Sequence, residues 1–214
     1  MLILFWILAF AIAISVHEAA HAWMADRLGD PTARLNGRMT LNPIAHADLY
    51  GTVLIPLFLM FIGSPFVFGW AKPVPVDPFN LKDPKKDSAI ISFAGPLANI
   101  LLAVLLSLIL RIIITPFSPV VYYSQLFFVL IKFNIVIAVF NLIPVHPLDG
   151  GKILVGLLSD ELGRKVDLFL NQYGTILLLM LIFPLIRGTS IISLIISPII
   201  NLFLSILLPV SQII

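Results

Sequence analysis

Ala13-Ile14-Ser15-Val16-His17-Glu18-Ala19-Ala20-His21-Ala22-Trp23 sets an H-E-x-x-H into the end of an apolar run. Residues 1–16 carry no charge, and residues 2–14 are unbroken apolar sequence. On a helix, His17 and His21 lie one turn apart on one face, so two imidazoles can converge on a single Zn²⁺ with Glu18 beside them as general base. The pattern predicts a zinc hydrolase whose metal sits below a membrane surface, because ionisable side chains inside a span are costly and mark function. A blander expectation is that these side chains only hydrogen-bond between helices. Their distribution weighs against it: the chain has four histidines and two glutamates, and three of those six fall in this pentapeptide.

Composition widens the same conclusion. With 214 residues, 60% of them apolar and 11% charged, the chain has too little polar surface to clothe a soluble globule. An all-α polytopic membrane protein is expected, since several stretches approach the roughly 20 apolar residues that a helix needs to cross the hydrocarbon. The absence of cysteine excludes disulfides and thiolate metal sites, leaving His and carboxylate ligands. No basic n-region precedes the first apolar segment, so residues 1–25 are read as a retained first span.

Beyond it, Asp26-Arg27-Leu28-Gly29-Asp30-Pro31 ends the helix, and residues 32–40 read as a short strand or extended interfacial segment. Residues 53–68 are apolar but broken by Pro56 and Gly63-Ser64-Pro65, so neither half is long enough to cross. Three prolines in the six residues 73–78 force an extended run. A charged loop over 81–88 leads to a second span, 90–114, which opens with Phe93-Ala94-Gly95-Pro96-Leu97-Ala98-Asn99, and a turn over 115–124 leads to a third, 125–143. Residues 160–172 form a polar helical surface segment, and two further apolar segments, 173–186 and 191–210, are joined by Arg187-Gly188. The expected total is about five transmembrane helices, a re-entrant segment and short interfacial strands.

A hydrolytic zinc site needs three protein ligands and an open position. His17 and His21 supply two, and Asp149, in Pro147-Leu148-Asp149-Gly150-Gly151 at the end of an apolar helix, is the third candidate. Its competing role is to cap the helix that follows. Glu18 would take a proton from the attacking water and pass it to the leaving amine. His46 and Asp48 form an H-x-D group that competes as a metal ligand, although the turn signals around it favour a supporting or loop-fixing pair. Asn99 and Asn141 could hold a substrate backbone or an oxyanion, or could simply bond between helices. His146 is expected to support the site rather than ligate. Trp6, Trp23 and Trp70 are ordinary interfacial or packing aromatics.

Parity then sets the topology. For Asp149 to reach the metal, the ends of the first and third spans must lie on one side, so residues 53–68 must dip in and return. Ten of the thirteen Lys and Arg residues then share one face, which the positive-inside rule makes cytoplasmic. Arg111, Lys132 and Arg187 are the exceptions: Arg111 can snorkel, and Lys132 has no evident place.

Together these residues resemble the site-2 protease family of intramembrane zinc metalloproteases. The resemblance is carried by His17-Glu18-Ala19-Ala20-His21, by Asn42-Pro43 with His46 and Asp48, by residues 69–76 (Gly-Trp-Ala-Lys-Pro-Val-Pro-Val), by Ala94-Gly95-Pro96-Leu97-Ala98-Asn99, and by Asn141-Leu142-Ile143-Pro144 with Pro147-Leu148-Asp149-Gly150-Gly151. It implies a core over 1–158, with 159–214 as a polar segment and C-terminal helices. It also implies one Zn²⁺ held by His17, His21 and Asp149, with Glu18 as base, and cleavage of a peptide bond within or next to the transmembrane segment of a single-span substrate. Residues 69–76 resemble the small prokaryotic branch, which implies a plasma-membrane enzyme with its site toward the cytoplasm. No insertion is long enough for a PDZ or CBS domain. His146 departs from the family, where an apolar or small residue is usual.

A substrate helix must be unwound before it can be cut, because its carbonyls are all paired. Strand addition by the proline-rich segment or the re-entrant one is a natural means. Two rival readings differ in class. Glu161 could complete a different zinc protease, or the chain could be a metal transporter or an inactive scaffold that retains the histidines. Glu18 weighs against the transporter, because a transport site needs no general base. Nucleic-acid binding has no support, since the basic residues are a membrane flank, and nothing in the chain indicates its oligomeric state.

Overall fold

Leu2–Arg27 forms one helix, α1, free of proline and glycine. In the computed structural model the described residues are 2–62, 69–113, 124–183 and 189–208. Ala9, Ala13, His17, His21 and Ala25 follow at four-residue intervals, and all are buried. The two histidines therefore continue a stripe of small residues along which neighbouring helices come close. The helix stops at Gly29, whose φ of 110° suits a left-handed cap, while the Asp30 N–H donates to Ala25 O at 2.9 Å.

The predicted strand over 32–40 is not formed. Thr32–Leu35 is a single helical turn, α2, because the buried Asp30 carboxylate accepts from both the backbone N–H and the hydroxyl of Thr32 and folds the chain there. Another short turn, α3 (Pro43–His46), is capped by the Asn42 side chain. A π-helical turn, Leu49–Leu54, then runs into α4, Ile55–Phe61.

Trp70 N–H donates to Gly51 O at 3.2 Å, Lys72 N–H to His46 O at 2.9 Å, and Thr52 Oγ1 to Trp70 O at 2.8 Å. The excursion between residues 52 and 69 therefore leaves and returns at one point, as a re-entrant segment must. Its breaker Gly63-Ser64-Pro65 lies outside the described residues, as do most of the turn over 115–124, Arg187-Gly188 and the end of the last apolar segment. Residues 71–77 run extended, yet no strand ladder forms among the described residues, and the N–H groups of Trp70, Lys72 and Val74 already donate within the chain. Strand addition at this segment would thus start from occupied donors, and Pro73 and Pro75 have none to offer.

The second long helix, α5, spans Pro84–Ile113 and begins before the expected span. Asp83 accepts from the Lys86 N–H and donates its own to the Asp87 carboxylate, so the charged residues read as a loop form the first turns. Residues 124–141 form α6 (Ser124–Asn141), and α7 (Asp149–Leu157) follows a tight loop. The polar segment and the apolar segment expected after it are one helix, α8, Asp160–Ile182. The final helix is α9, Ile191–Leu207.

Four helices among the described residues are long and apolar enough to cross a bilayer: α1, α5, α6 and α8. The 17 residues of α9 sit at the short end of that range. Helix α5 is central, packing against α1, α6 and α7. A buried apolar cluster joins Leu110 of α5, Ile131 and Ile135 of α6, and Ile200 and Leu207 of α9. Arg111 is exposed and donates to Ile206 O at 2.8 Å near the end of α9. Lys132 is exposed on the outer side of α6.

Candidate metal centre

His17 and His21 project from α1 toward α5 and meet Asp149, the first residue of α7. Asp149 Oδ2 lies 3.0 Å from His17 Nε2 and 3.3 Å from His21 Nε2, and the potential ligand atoms of the three residues all fall within 4.8 Å of one another. Zinc bonds of about 2.0–2.1 Å in a tetrahedron place ligand atoms about 3.4 Å apart, so this donor set fits the ion. Asp149 does not cap its helix: Leu148 occupies the N-cap position, and the carboxylate turns to the imidazoles.

Both rings are oriented by their other nitrogen. His17 Nδ1–H donates to Asn99 Oδ1 at 2.7 Å, and His21 Nδ1–H donates to Ile91 O at 2.7 Å. Ile91 O can only accept, so each Nε2 lone pair is left for a metal. Two features of Ala94-Gly95-Pro96 make this possible. A Cβ at Gly95 would stand 2.5 Å from His21 Cε1 and 2.8 Å from His17 Cε1, so only glycine lets α5 pass so near the rings. Pro96 has no N–H to offer the Ser92 carbonyl four residues before it, beside the Ile91 carbonyl that receives His21. At the other side, a Cβ at Gly150 would stand 2.2 Å from Ile143 O, so the close turn that delivers Asp149 requires glycine as well.

Glu18 and Asn141 line a cavity of about 160 Å³ beside the cluster, together with Ser92, Lys152, Pro73 and Val74. Glu18 Oε2 accepts from the Val74 N–H at 3.2 Å, which brings the proline-rich segment, hereafter the strap, over the site. Asn141 Nδ2 donates to Ile137 O within its own helix.

The remaining candidates lie apart from the cluster, which among the described residues comprises His17, His21 and Asp149. His46 is buried and donates from Nε2 to Thr40 O at 2.7 Å, while its backbone carbonyl receives the strap. Asp48 accepts from the Gly51 N–H and caps the π-helical turn. His146 pairs with Asp167 of α8 at 3.1 Å.

Three supporting residues escaped the sequence reading. The buried Arg38 donates to Lys72 O at 2.6 Å and also to Pro73 O, clamping the strap. Asp30 accepts from the Asp77 N–H at 2.8 Å and from Asn80 Nδ2 at the strap's far end. Burial pushes the Asp30 carboxyl up, but hydrogen bonds from Thr32, Asn80 and the Asp77 backbone outweigh it and hold the group below the ordinary carboxylate range. Asn134 completes the set, and its only signal was a lone amide in the middle of an apolar span.

A polytopic helical membrane protein with a His, His, Asp donor set beside a glutamate defines a membrane-embedded metal-site protein with a hydrolase's ligands. Known proteins sharpen this. The family model described as Peptidase family M50 matches residues 5–117 and 110–183, and the chain belongs to that family. It is 35% identical to YwhC of Bacillus subtilis (strain 168) over 82% of this chain and 78% of that protein. It is 28% identical to Rip2 of Mycolicibacterium smegmatis over 82% of this chain, and 24% identical to zinc metalloprotease MJ0392 of Methanocaldococcus jannaschii over 90%. The chain spans 65% of the Rip2 length and 47% of the MJ0392 length, and the names of YwhC and Rip2 also describe zinc metalloproteases. No solved structure matches.

Proposed function

We propose that this chain is a zinc metalloendopeptidase that cuts a peptide bond within or next to the transmembrane segment of a membrane-anchored, single-span substrate, from the cytoplasmic side of a prokaryotic plasma membrane. The carrying observation is that both histidines of the donor cluster lie inside α1, a helix apolar enough to cross a bilayer. A peptide bond brought to them must therefore come from a chain already in or at the membrane. Clustering of the basic residues on one side of the expected topology supports the cytoplasmic orientation.

His17, His21 and Asp149 would hold the zinc. When bound, zinc supplies Lewis acidity that activates water near neutral pH and polarises a carbonyl. Glu18, half-buried at the cavity wall, takes the proton from the attacking water as the C–O bond forms and delivers it to the amine as the C–N bond breaks. Asn99 and the Ile91 carbonyl keep both rings turned to the metal throughout. Asn141 and Lys152 stand at the cavity wall, where the substrate backbone would pass.

The test is Glu18→Gln in full-length protein reconstituted with a panel of single-span substrates. Zinc content should stay near one per chain while cleavage falls by about 10²–10⁴, the usual contribution of a general base. Unchanged cleavage would remove Glu18 from the chemistry, and a wild-type protein that moves metal across vesicles without cutting any substrate would favour the transporter.

A further inference from the structure

Asn134 is fully buried in α6, and its amide reaches toward the metal centre only through a neighbour. Its Nδ2 donates to Leu130 O at 2.8 Å, and its Oδ1 accepts from Asn99 Nδ2 at 2.7 Å. The second hydrogen on Asn99 Nδ2 goes to Ala13 O at 2.9 Å, which leaves Asn99 Oδ1 for His17 Nδ1–H at 2.7 Å.

The direction of this chain is not arbitrary. Leu130 O and Ala13 O are backbone carbonyls and can only accept. The first forces the nitrogen of Asn134 to face Leu130 and its oxygen to face Asn99. The second, with that oxygen, takes both hydrogens of the Asn99 amide, so the oxygen of Asn99 must face His17. His17 Nδ1 must then carry the proton, and Nε2 is the nitrogen turned to Asp149. Without the acceptor at 134, one Asn99 N–H is left unpaired among apolar side chains, and rotation of that amide would set N–H against N–H at His17.

We propose that Asn134 is a positioning residue of the metal centre, which sets through Asn99 the nitrogen that His17 presents to zinc. This rests on the metal-centre reading above. The competing account is that Asn134 merely ties α6 to α5, as interhelical amides do in membranes.

Zinc affinity of the purified full chain, measured by competition with a chromophoric chelator, separates the two. N134L should bind zinc about 10- to 100-fold more weakly, the usual cost of losing an outer partner of a ligand. N134D in its protonated form offers Asn99 an acceptor and Leu130 O a donor, and should return affinity to within about twofold of wild type. N99L/N134L should be no weaker than N99L, because residue 134 acts only through residue 99. In the zinc-loaded wild type, imidazole ¹⁵N spectra should show His17 bound through Nε2 with Nδ1 protonated. The proposal fails if N134L binds zinc as wild type does, if the two losses add, or if His17 ligates through Nδ1. If N134L does not fold, N134A and the wild-type spectrum carry the same decision. Wild-type protein that holds no zinc would overturn the metal centre and this proposal with it, whereas zinc-replete wild type beside an equally replete N134L would overturn only the role of Asn134.

Discussion

The metal cradle and the strap face each other across one cavity and are held in opposite ways. The cradle is built on helices whose backbones need no side chain to hold them, so polar groups there are free to orient the ligands: Asn134 orients Asn99, Asn99 orients His17, and the Ile91 carbonyl orients His21. The strap has no such backbone. Its prolines at 73 and 75 forbid a helix, and it borrows side chains for its backbone groups, with Arg38 taken by Lys72 O, Glu18 by Val74 N–H and Asp30 by Asp77 N–H. A metal needs fixed ligands, and helices supply them. The strap needs only to stay near Glu18, and a few side-chain clamps suffice.

If that division holds, damage to the cradle should appear as lost metal and damage to the strap as lost turnover at full metal. The largest expected effect is from Gly95→Ala, whose methyl would meet the His21 and His17 rings at 2.5 Å and 2.8 Å. Zinc affinity should fall roughly 100-fold, read by chelator competition; retention of zinc at wild-type strength would show that the cradle is softer than its packing implies. Next is Arg38→Met, which removes both hydrogen bonds to the strap. Zinc content should be unchanged while kcat/KM drops about tenfold, corresponding to about 1.4 kcal/mol of lost positioning; loss of zinc instead would erase the distinction.

The smallest effect is expected at Asp30→Asn. Because the folded carboxyl is held below its ordinary range, its contribution is complete above about pH 4 and is lost as pH falls through the folded value. At neutral pH the variant should lose about 1 kcal/mol, or about 2–4 °C in Tm, and the gap to wild type should close in acid. A gap of constant size across that range would mean that the ionised form is not what anchors the strap.

The signals for the cradle were local and strong. His17 and His21 stand one helical turn apart with Glu18 beside them in a run with no other charge, and Asp149 is a carboxylate at the end of an apolar helix, so cost alone singled them out. Asn99 was visible as an isolated amide, but its partner was not. The strap's extended form followed from its prolines, whereas its clamps did not, because Arg38 and Asp30 sit among surface-like polar residues and nothing in their spacing shows that they are buried. The strand expected over 32–40 failed for a related reason: a loose alternation of apolar and polar residues was outweighed by one carboxylate, Asp30, accepting from Thr32. The polar segment over 160–172 and the apolar segment after it read as separate elements, yet α8 continues from polar surroundings into apolar ones, because composition marks a change of surroundings rather than an end of the helix.

By itself the sequence determined the class and the first helical spans and pointed to a candidate donor set and base, since hydrophobic length and side-chain chemistry are properties of short stretches. Tertiary structure alone decided how those pieces act on one another: that His17 faces Asn99 and Asn134, that Gly95 is the gap through which two helices meet at the metal, and that Val74 reaches Glu18. These are contacts between residues 35 to 82 positions apart in the chain. No local pattern encodes such pairings, because they are fixed by how whole helices pack and by the requirement that every buried polar group find a partner.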